Sequence, residues 1–369
     1  MYMAALVPPT EAPAVTEVLC LQAASPALAG CTGQGIGVLV INYNTARQTL
    51  RCLESIQQST LLPDWVLVLD NASSSDDYQQ LLQGAQPPRE GALYIYHSQH
   101  NLGFAQGSNV LIDLLLQQQA CQYVMLLNND AVAQKDMLAS LRAALDEAGE
   151  GAGLAGGRMH RLADPMQVDT LGIALYASLM PADRKTLDDH YVGPTGGCCM
   201  LTRQLVDRLK SVSGYCFDPR FFCYCEDTDM VVRAVLLGYR PLYVDQLLAL
   251  HEGQASSGGG YNPFIAYHGL RNTLWMHIKL MPAGMLWRYG FLLLLAHGLM
   301  VARHTLAGRF LLMLRVYRDV LRRLPEFLSE RQQFNGHAQA YRAVLKAQVT
   351  HRFYRKGYLQ SVLRGACSD

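Results

Sequence analysis

From Ile36 onward, apolar and polar positions follow a regular pattern. The run Val38-Leu39-Val40-Ile41 breaks into a polar turn, Asn42-Tyr43-Asn44-Thr45, and an amphipathic stretch continues to Ser59 before a second run, Val66 to Leu69, ends at Asp70. Short apolar runs bounded by turn residues and separated by a helical period predict a βαβ unit. The pattern recurs: Leu93 to Tyr96 reads as a strand, Ala105 to Gln119 as a helix, and Tyr123 to Leu127 as a strand running into Asn128-Asn129-Asp130. Three parallel strands therefore end in polar residues. Ligands of open doubly wound sheets bind beyond the carboxyl ends of the strands, so Asn44, Asp70 and Asp130 are predicted to face one crevice.

Between Gly151 and Leu250 the strands are shorter and loops more frequent. Gly196 to Met200 is an apolar run and Arg203 to Lys210 a helix; Phe221-Phe222-Cys223-Tyr224-Cys225-Glu226-Asp227 then leads into a helix reaching Leu237 and stopped by Gly238. A strand-like Leu247 to Leu250 precedes His251, and Gly258 to Gly260 reads as a flexible loop. Beyond Phe264 the chain is helical almost to its end. The expected organisation is a flexible leader (1–34), an α/β domain (35–280) with a nucleotide-binding half (35–150) and an acceptor and catalytic half (151–280), and a helical tail (281–369).

Composition narrows the functional classes. The chain has 369 residues, 17% of them charged, and a formal net charge of +1, so no overall field marks a nucleic-acid binder. Hydrophobic residues reach 50%, which points to an apolar surface somewhere. None of the ten cysteines forms the C-x2-C spacing of a zinc site, and they read as reduced thiols. The first 34 residues are rich in Ala and Pro but contain no Lys or Arg, so a signal peptide is not expected. A dinucleotide fingerprint is not supported, because Gly33-x-Gly35-x-Gly37 precedes the first strand, and a Walker A loop is absent. A nucleotide-sized crevice lined by carboxylates and amides meets a diphosphate through a cation.

In order along the chain stand Val40-Ile41-Asn42-Tyr43-Asn44, Asp70-Asn71-Ala72-Ser73, Asn101-Leu102-Gly103-Phe104-Ala105-x-Gly107-x-Asn109, Asn128-Asn129-Asp130, Gly196-Gly197-Cys198, Glu226-Asp227-x-Asp229 and His251. This series, from Ile36 to Trp275, resembles the family 2 glycosyltransferases, particularly their rhamnosyltransferase-like members. The resemblance implies a GT-A fold: a Rossmann-like, mostly parallel sheet with helices on both faces, here followed by a C-terminal helical tail. It implies that Asn42, Tyr43, Asn44, Asp70, Asn101, Gly103, Asn109, Asn129, Asp130 and Arg271 bind the nucleotide-sugar donor, with Gly197, Phe222 and Tyr224 toward the acceptor. Asp130 would hold Mn2+ or Mg2+ with His251 as a second ligand, and Asp227, paired with Glu226, would be the base of an inverting transfer. Asn128 replaces the first carboxylate of the usual D-x-D, leaving the donor phosphates to complete the metal site. Asp229 with Arg233 four residues on reads as a structural pair. His268-Gly269-Leu270-Arg271-Asn272 lacks the Q-x-x-R-W of processive polymerases, which favours addition of a single sugar.

The resemblance extends to a donor such as dTDP-rhamnose, a glycan or lipid-linked glycan acceptor, and a role in cell-surface polysaccharide synthesis. Competing classes are a nucleotidylyltransferase and a GT-A scaffold that has lost activity, the second favoured only by the single carboxylate of Asn128-Asn129-Asp130. Tyr289 to Ala302 is apolar except for His297, short of the ~20 residues a spanning helix needs. Further on, Leu306, Phe310, Met313, Tyr317, Leu321 and Leu324 fall on one helical face and Arg315, Arg318 and Arg322 on another. Such a segment suits the inner face of the cell membrane, so a cytoplasmic, peripheral enzyme is expected. A homodimer is a further expectation for which no residue is singled out.

Overall fold

The computed structural model describes residues 18–24, 33, 35–86, 88–253 and 262–356. Alternation along the first strands sets two hydrophobic layers. In β2 (Ile36–Asn42) and β3 (Trp65–Asn71), Val38, Val40, Val66 and Val68 point to one face; Leu39, Leu67 and Leu69 point to the other. The first face is covered by α1 (Ala46–Gln57), α2 (Ser75–Gly84) and α4 (Met137–Ala148). The second is covered by α3 (Gly103–Leu115), α5 (Arg203–Ser213), α6 (Glu226–Leu236) and α7 (Pro263–Leu280). A strand buried on both faces reads as a continuous apolar run, which is how these segments appear in the sequence.

The main sheet also contains β1 (Val18–Ala24), β4 (Ala92–Ser98), β5 (Tyr123–Leu127), β6 (Ala131–Ala133), β7 (Ala152–Arg161), β8 (Val168–Thr170), β11 (Cys198–Thr202) and β12 (Arg240–His251). Its order is β1-β4-β3-β2-β5-β11-β7-β12-β6, with β8 on β7. The block β4-β3-β2-β5 is parallel. β11 then inserts antiparallel to both β5 and β7. That reversal brings the Gly196-Gly197 segment, just before β11, against the end of β5 and the residues after it.

Three expectations change. Within the stretch taken as a flexible leader, residues 18–24 form edge strand β1, paired antiparallel with β4; residues 1–17, 25–32 and 34 lie outside the described residues, as does the expected glycine loop at 258–260. Within the half read as having short strands and frequent loops, residues 164–194 carry β8 and part of a second small sheet, in which β9 (Ile173–Tyr176) pairs with β10 (Pro181–Asp183) and with β13 (Val349–Thr350) from the far end of the chain. Its pairing partner lies too far along the chain for local pattern to reveal. The helices after residue 280 are α8 (Ala283–Leu306), α9 (Phe310–Arg322), α10 (Leu324–Ala338) and α11 (Arg342–Ala347). Met285, Val320, Phe327, Phe334 and Leu345 join the same core as Leu39 and Leu67, so packing runs without a break across the boundary drawn at 280.

Candidate active site

At the end of β2, Asn42 is fully buried. Its amide nitrogen donates to Asp70 Oδ1 (2.9 Å), Ser73 Oγ (3.1 Å) and Asp77 Oδ2 (2.9 Å), while its oxygen accepts from Thr49 Oγ1 (2.7 Å). Asp77 also accepts from the Ala46 N–H at the start of α1 (2.8 Å). Asn44, at φ 54°, donates its N–H to Ser73 Oγ (2.9 Å) and accepts the Ser74 N–H (2.8 Å). Asp70 is fully buried and accepts from Asn42, from the Ser73 N–H (3.3 Å) and from His97 Nδ1 (2.9 Å). Asn42 and Asp70 therefore build the floor of this end of the crevice. The side chains left facing outward are Tyr43, 42% exposed, and His97, which lies against Tyr78 with ring centroids 4.6 Å apart. His97 carried no signal in the sequence.

The loop before α3 is held by side-chain amides. Asn71 donates to Asn101 Oδ1 (3.0 Å) and accepts the Leu102 N–H (2.8 Å); Asn101 Oδ1 accepts the Gly103 N–H (2.8 Å). Gly103 has φ +71°, and a Cβ there would stand 2.5 Å from Phe222 O, so this position requires glycine twice over. Asn109 departs from its expected donor role. Both ends of its amide are engaged by Phe217, donating to the carbonyl (2.7 Å) and accepting from the N–H (2.9 Å), which makes it a clamp between α3 and the segment before α6.

That segment is strained. Phe222, Tyr224 and Cys225 all have φ near +67°, a region non-glycine residues rarely occupy. Asn272 on α7 holds it by donating to the carbonyls of Phe221 (2.9 Å), Cys223 (2.9 Å) and Tyr224 (2.7 Å). Arg271, expected at the diphosphate, is instead buried and donates to the carbonyls of Arg220 (3.3 Å) and Phe221 (3.2 Å) and to Tyr267 Oη (3.3 Å). The rings of Phe222 and Tyr224 pack on Phe264 of α7, and Phe222 also stacks on His268.

The strained turn delivers Glu226 and Asp227 to the first turn of α6. Asp227 Oδ2 accepts the Gly196 N–H (3.0 Å), and its Oδ1 accepts the Thr228 N–H (2.6 Å) and hydroxyl (3.2 Å). Burial raises its pKa above the ordinary carboxylate value despite these hydrogen bonds to the ionised form. Glu226 is buried with no partner for Oε2; burial first, then the charge of Asp227, drives its pKa well upward. Two adjacent carboxyls thus stand side by side, Asp227 with hydrogen bonds that favour its ionised form and Glu226 shifted more strongly toward its protonated one. Asp229 faces away, into a fully buried network where it pairs with Arg233 (2.8 Å) and Lys279 (2.6 Å).

Gly197 connects this end to the other. Its carbonyl accepts the Asn128 N–H (2.9 Å), and a Cβ on it would lie 3.0 Å from Asn128 Nδ2. Asn128 Nδ2 in turn lies 3.3 Å from His251 Nε2, and Asp130 Oδ1 lies 3.1 Å from the same nitrogen. Asn129 points back to α1, donating to Thr45 Oγ1 (2.6 Å) and Thr49 Oγ1 (2.9 Å). On the far side of the imidazole, His251 Nδ1 lies 2.7 Å from Asp169 Oδ2 on β8. Burial pulls the His251 pKa down, but its two carboxylate partners prevail and lift it to about 10.

Asp169 was not anticipated from the sequence, since it lies in the stretch whose strands are paired only in three dimensions. Its position resembles the carboxylate–histidine pairs that orient metal ligands: held at Nδ1, the imidazole presents Nε2 to the side where Asp130 lies. One carboxylate and one imidazole suit Mn2+ or Mg2+ as a partial site. Among the described residues no group of three or more His, Cys, Asp or Glu side chains is placed to hold a metal ion.

An α/β sheet with helices on both faces, a parallel nucleotide-type half, and an acidic pair and a carboxylate–histidine pair joined through a glycine pair defines a GT-A glycosyltransferase fold. Residues 37–210 match the family model described as Glycosyl transferase family 2. Asp227 and His251 lie beyond the matched segment. Similar solved structures include the mannosyltransferase PcManGT from Pyrobaculum calidifontis in complex with GDP-Man and Mn2+, 15% identical, with 88% of this chain and 90% of that chain covered and a TM-score of 0.47. Another is S. aureus TarS 1-349, 15% identical, with 86% and 93% covered and a TM-score of 0.47. No curated protein matches the sequence.

Proposed function

We propose that the chain is an inverting glycosyltransferase that moves a single sugar from a nucleoside-diphosphate donor to a glycan or lipid-linked glycan, with Asp227 as the base. One observation carries the reading: two consecutive glycines join the acidic pair to the ligand pair, Gly196 bonding Asp227 and Gly197 bonding Asn128 beside His251 and Asp130. The acceptor hydroxyl loses its proton to Asp227 as its oxygen attacks the anomeric carbon, and a single base opposite the leaving group inverts that centre. Asp130 and His251 would hold Mn2+ or Mg2+, which neutralises charge on the departing diphosphate. Asp169 orients His251, and Tyr43 and His97 line the base end. A rhamnosyl donor is the finer proposal, and it rests on family resemblance alone.

Asp227→Asn tests this. Transfer should fall at least ~10³-fold while donor affinity changes less than about threefold. Residual turnover near the wild-type rate, or a product of retained anomeric configuration, would overturn the assignment. A panel of nucleotide sugars, each with and without Mn2+, identifies the donor; turnover of none of them would favour the inactive-scaffold reading.

A further inference from the structure

The surface of α8 and α9 is built unlike the rest of the molecule. Trp287 (91% exposed), Phe291 (77%), Leu294 (73%), Leu295, Leu299 and Leu306 (87%) fall on one side of α8 and form an outward stripe. The opposite face of the same helix is packed inward through Met285, Ala296 and His304, and His297 meets Tyr317 of α9. On α9 the inward residues are Met313, Val316 and Val320, while Phe310, Leu311, Leu314 and Leu321 stand outward. This corrects the stripe read from Leu306 through Leu324. The turn at 307–309, where Gly308 takes φ +68°, separates Leu306 on α8 from the rest of that stripe, and within α9 Met313 is buried while Phe310 and Leu321 are exposed.

The geometry points to α8 and α9 as a docking surface for an anionic lipid bilayer, with α8 lying in the plane of the interface. Two independent features select this occupant. An apolar stripe of this size exposed to water marks an interaction surface. Its charge is also one-sided: from Ala283 to Arg323 there are seven arginines (288, 303, 309, 315, 318, 322 and 323) and one acidic residue, Asp319, in a chain whose formal net charge is only +1. The remainder of the protein is therefore net acidic, and the basic residues gather where the apolar stripe is. A basic helix with an apolar face partitions into the headgroup boundary of anionic membranes.

Crossing the bilayer is the alternative for a helix of 24 residues, which is about 36 Å long and apolar enough by composition. The inward contacts of α8 favour the in-plane arrangement, because Met285 lies in the main core and His297 meets Tyr317 of α9, contacts that a spanning helix would surrender. The inference is independent of the glycosyltransferase reading. Should both hold, a lipid-linked acceptor would reach the site along the membrane surface.

Trp287 supplies the measurement. Of the three tryptophans, Trp65 and Trp275 are buried, so a change in emission on adding vesicles reports Trp287. The full-length protein should co-sediment with phosphatidylglycerol-containing vesicles, with a blue-shifted emission, and bind pure phosphatidylcholine vesicles far more weakly. Arg303→Ala with Arg322→Ala should lower partitioning roughly thirtyfold on the anionic vesicles. Phe291→Glu with Leu294→Glu should abolish it while an unchanged thermal melt shows the fold intact. Absence of any shift or sedimentation overturns the proposal. So does a wild-type dimer that the Glu variant converts to monomer without vesicle binding, which would make a second copy the occupant. Resistance to alkaline carbonate extraction would overturn the in-plane arrangement in favour of a spanning helix.

Discussion

Asp227 and Glu226 are neighbours with different environments. Asp227 accepts three hydrogen bonds, which favour its ionised form, yet burial still leaves its pKa above the usual value; Glu226 has an unpartnered oxygen and a stronger shift. A base must be ionised to work, so kcat should fall as pH drops through the raised Asp227 pKa, above the ~3.9 of a free aspartate. Thr228→Val removes one hydrogen bond to the charged form and should move that acid limb to higher pH. A limb at the free-carboxylate value, unmoved by Thr228→Val, would contradict this account. In the sequence the acidic pair stood out only through its place in the series of family-like motifs, since an acidic helix start by itself suits any dipole complement. The roles of Asn109 and Arg271 were not legible there, because an amide or guanidinium serves a ligand or a backbone carbonyl equally well and only the fold shows which is within reach.

At the scale of elements, the site depends on a strained turn between two helices. Three residues at positive φ precede α6, and each such residue costs about 1–3 kcal/mol unless its surroundings enforce it. Asn272 enforces it from α7 through three carbonyls, and Gly103 admits it from α3 by having no Cβ. Asn272→Ala should therefore lower stability by about 3 kcal/mol by denaturant titration. It should also cut kcat by more than it raises the donor KM, since the turn it releases carries Asp227. Gly103→Ala, which combines an unfavourable φ with a contact to Phe222 O, should cost about 2 kcal/mol or more. Strands β2, β3 and β5 were legible nearly to the residue, since both faces of each are covered and their apolar runs are unbroken. The pairing of β9 with β13 was not, because it joins residues far apart in the chain.

Across the whole molecule, a buried charge network ties α6, α7 and the segment before α6 to the C-terminal helices. Lys279 pairs with Asp218 (2.7 Å) and Asp229 (2.6 Å), and Arg220 pairs with Asp218 (2.6 Å) and with Glu330 of α10. Burial alone would raise the pKa of Asp218, but Lys279 and Arg220 hold it far below the ordinary value. A depressed carboxylate stabilises the fold above its unfolded pKa and loses that contribution only as pH falls through the folded one, so the network should persist well into acid. Lys279→Met leaves two buried carboxylates short of a partner and should destabilise the protein by about 3–5 kcal/mol in chemical denaturation at neutral pH. Arg331 adds a second tie, donating to the carbonyls of Ile278 (2.8 Å) and Met281 (2.7 Å) at the end of α7. Cooperative, single-step unfolding of both parts is the expected result.

The sequence by itself determined the α/β class, the order of the polar turns at the strand ends and the residue types the chemistry requires, because strand periodicity and turn composition are local properties. Tertiary structure decided which polar groups remain available. It engaged Asn42, Asp70, Asn109 and Arg271 in internal hydrogen bonds and brought His97, next to the strand read at Leu93 to Tyr96, and Asp169 to the site. It also turned the apolar stripe of α8 outward. Burial and long-range pairing depend on where the rest of the chain lies, which no window of sequence contains.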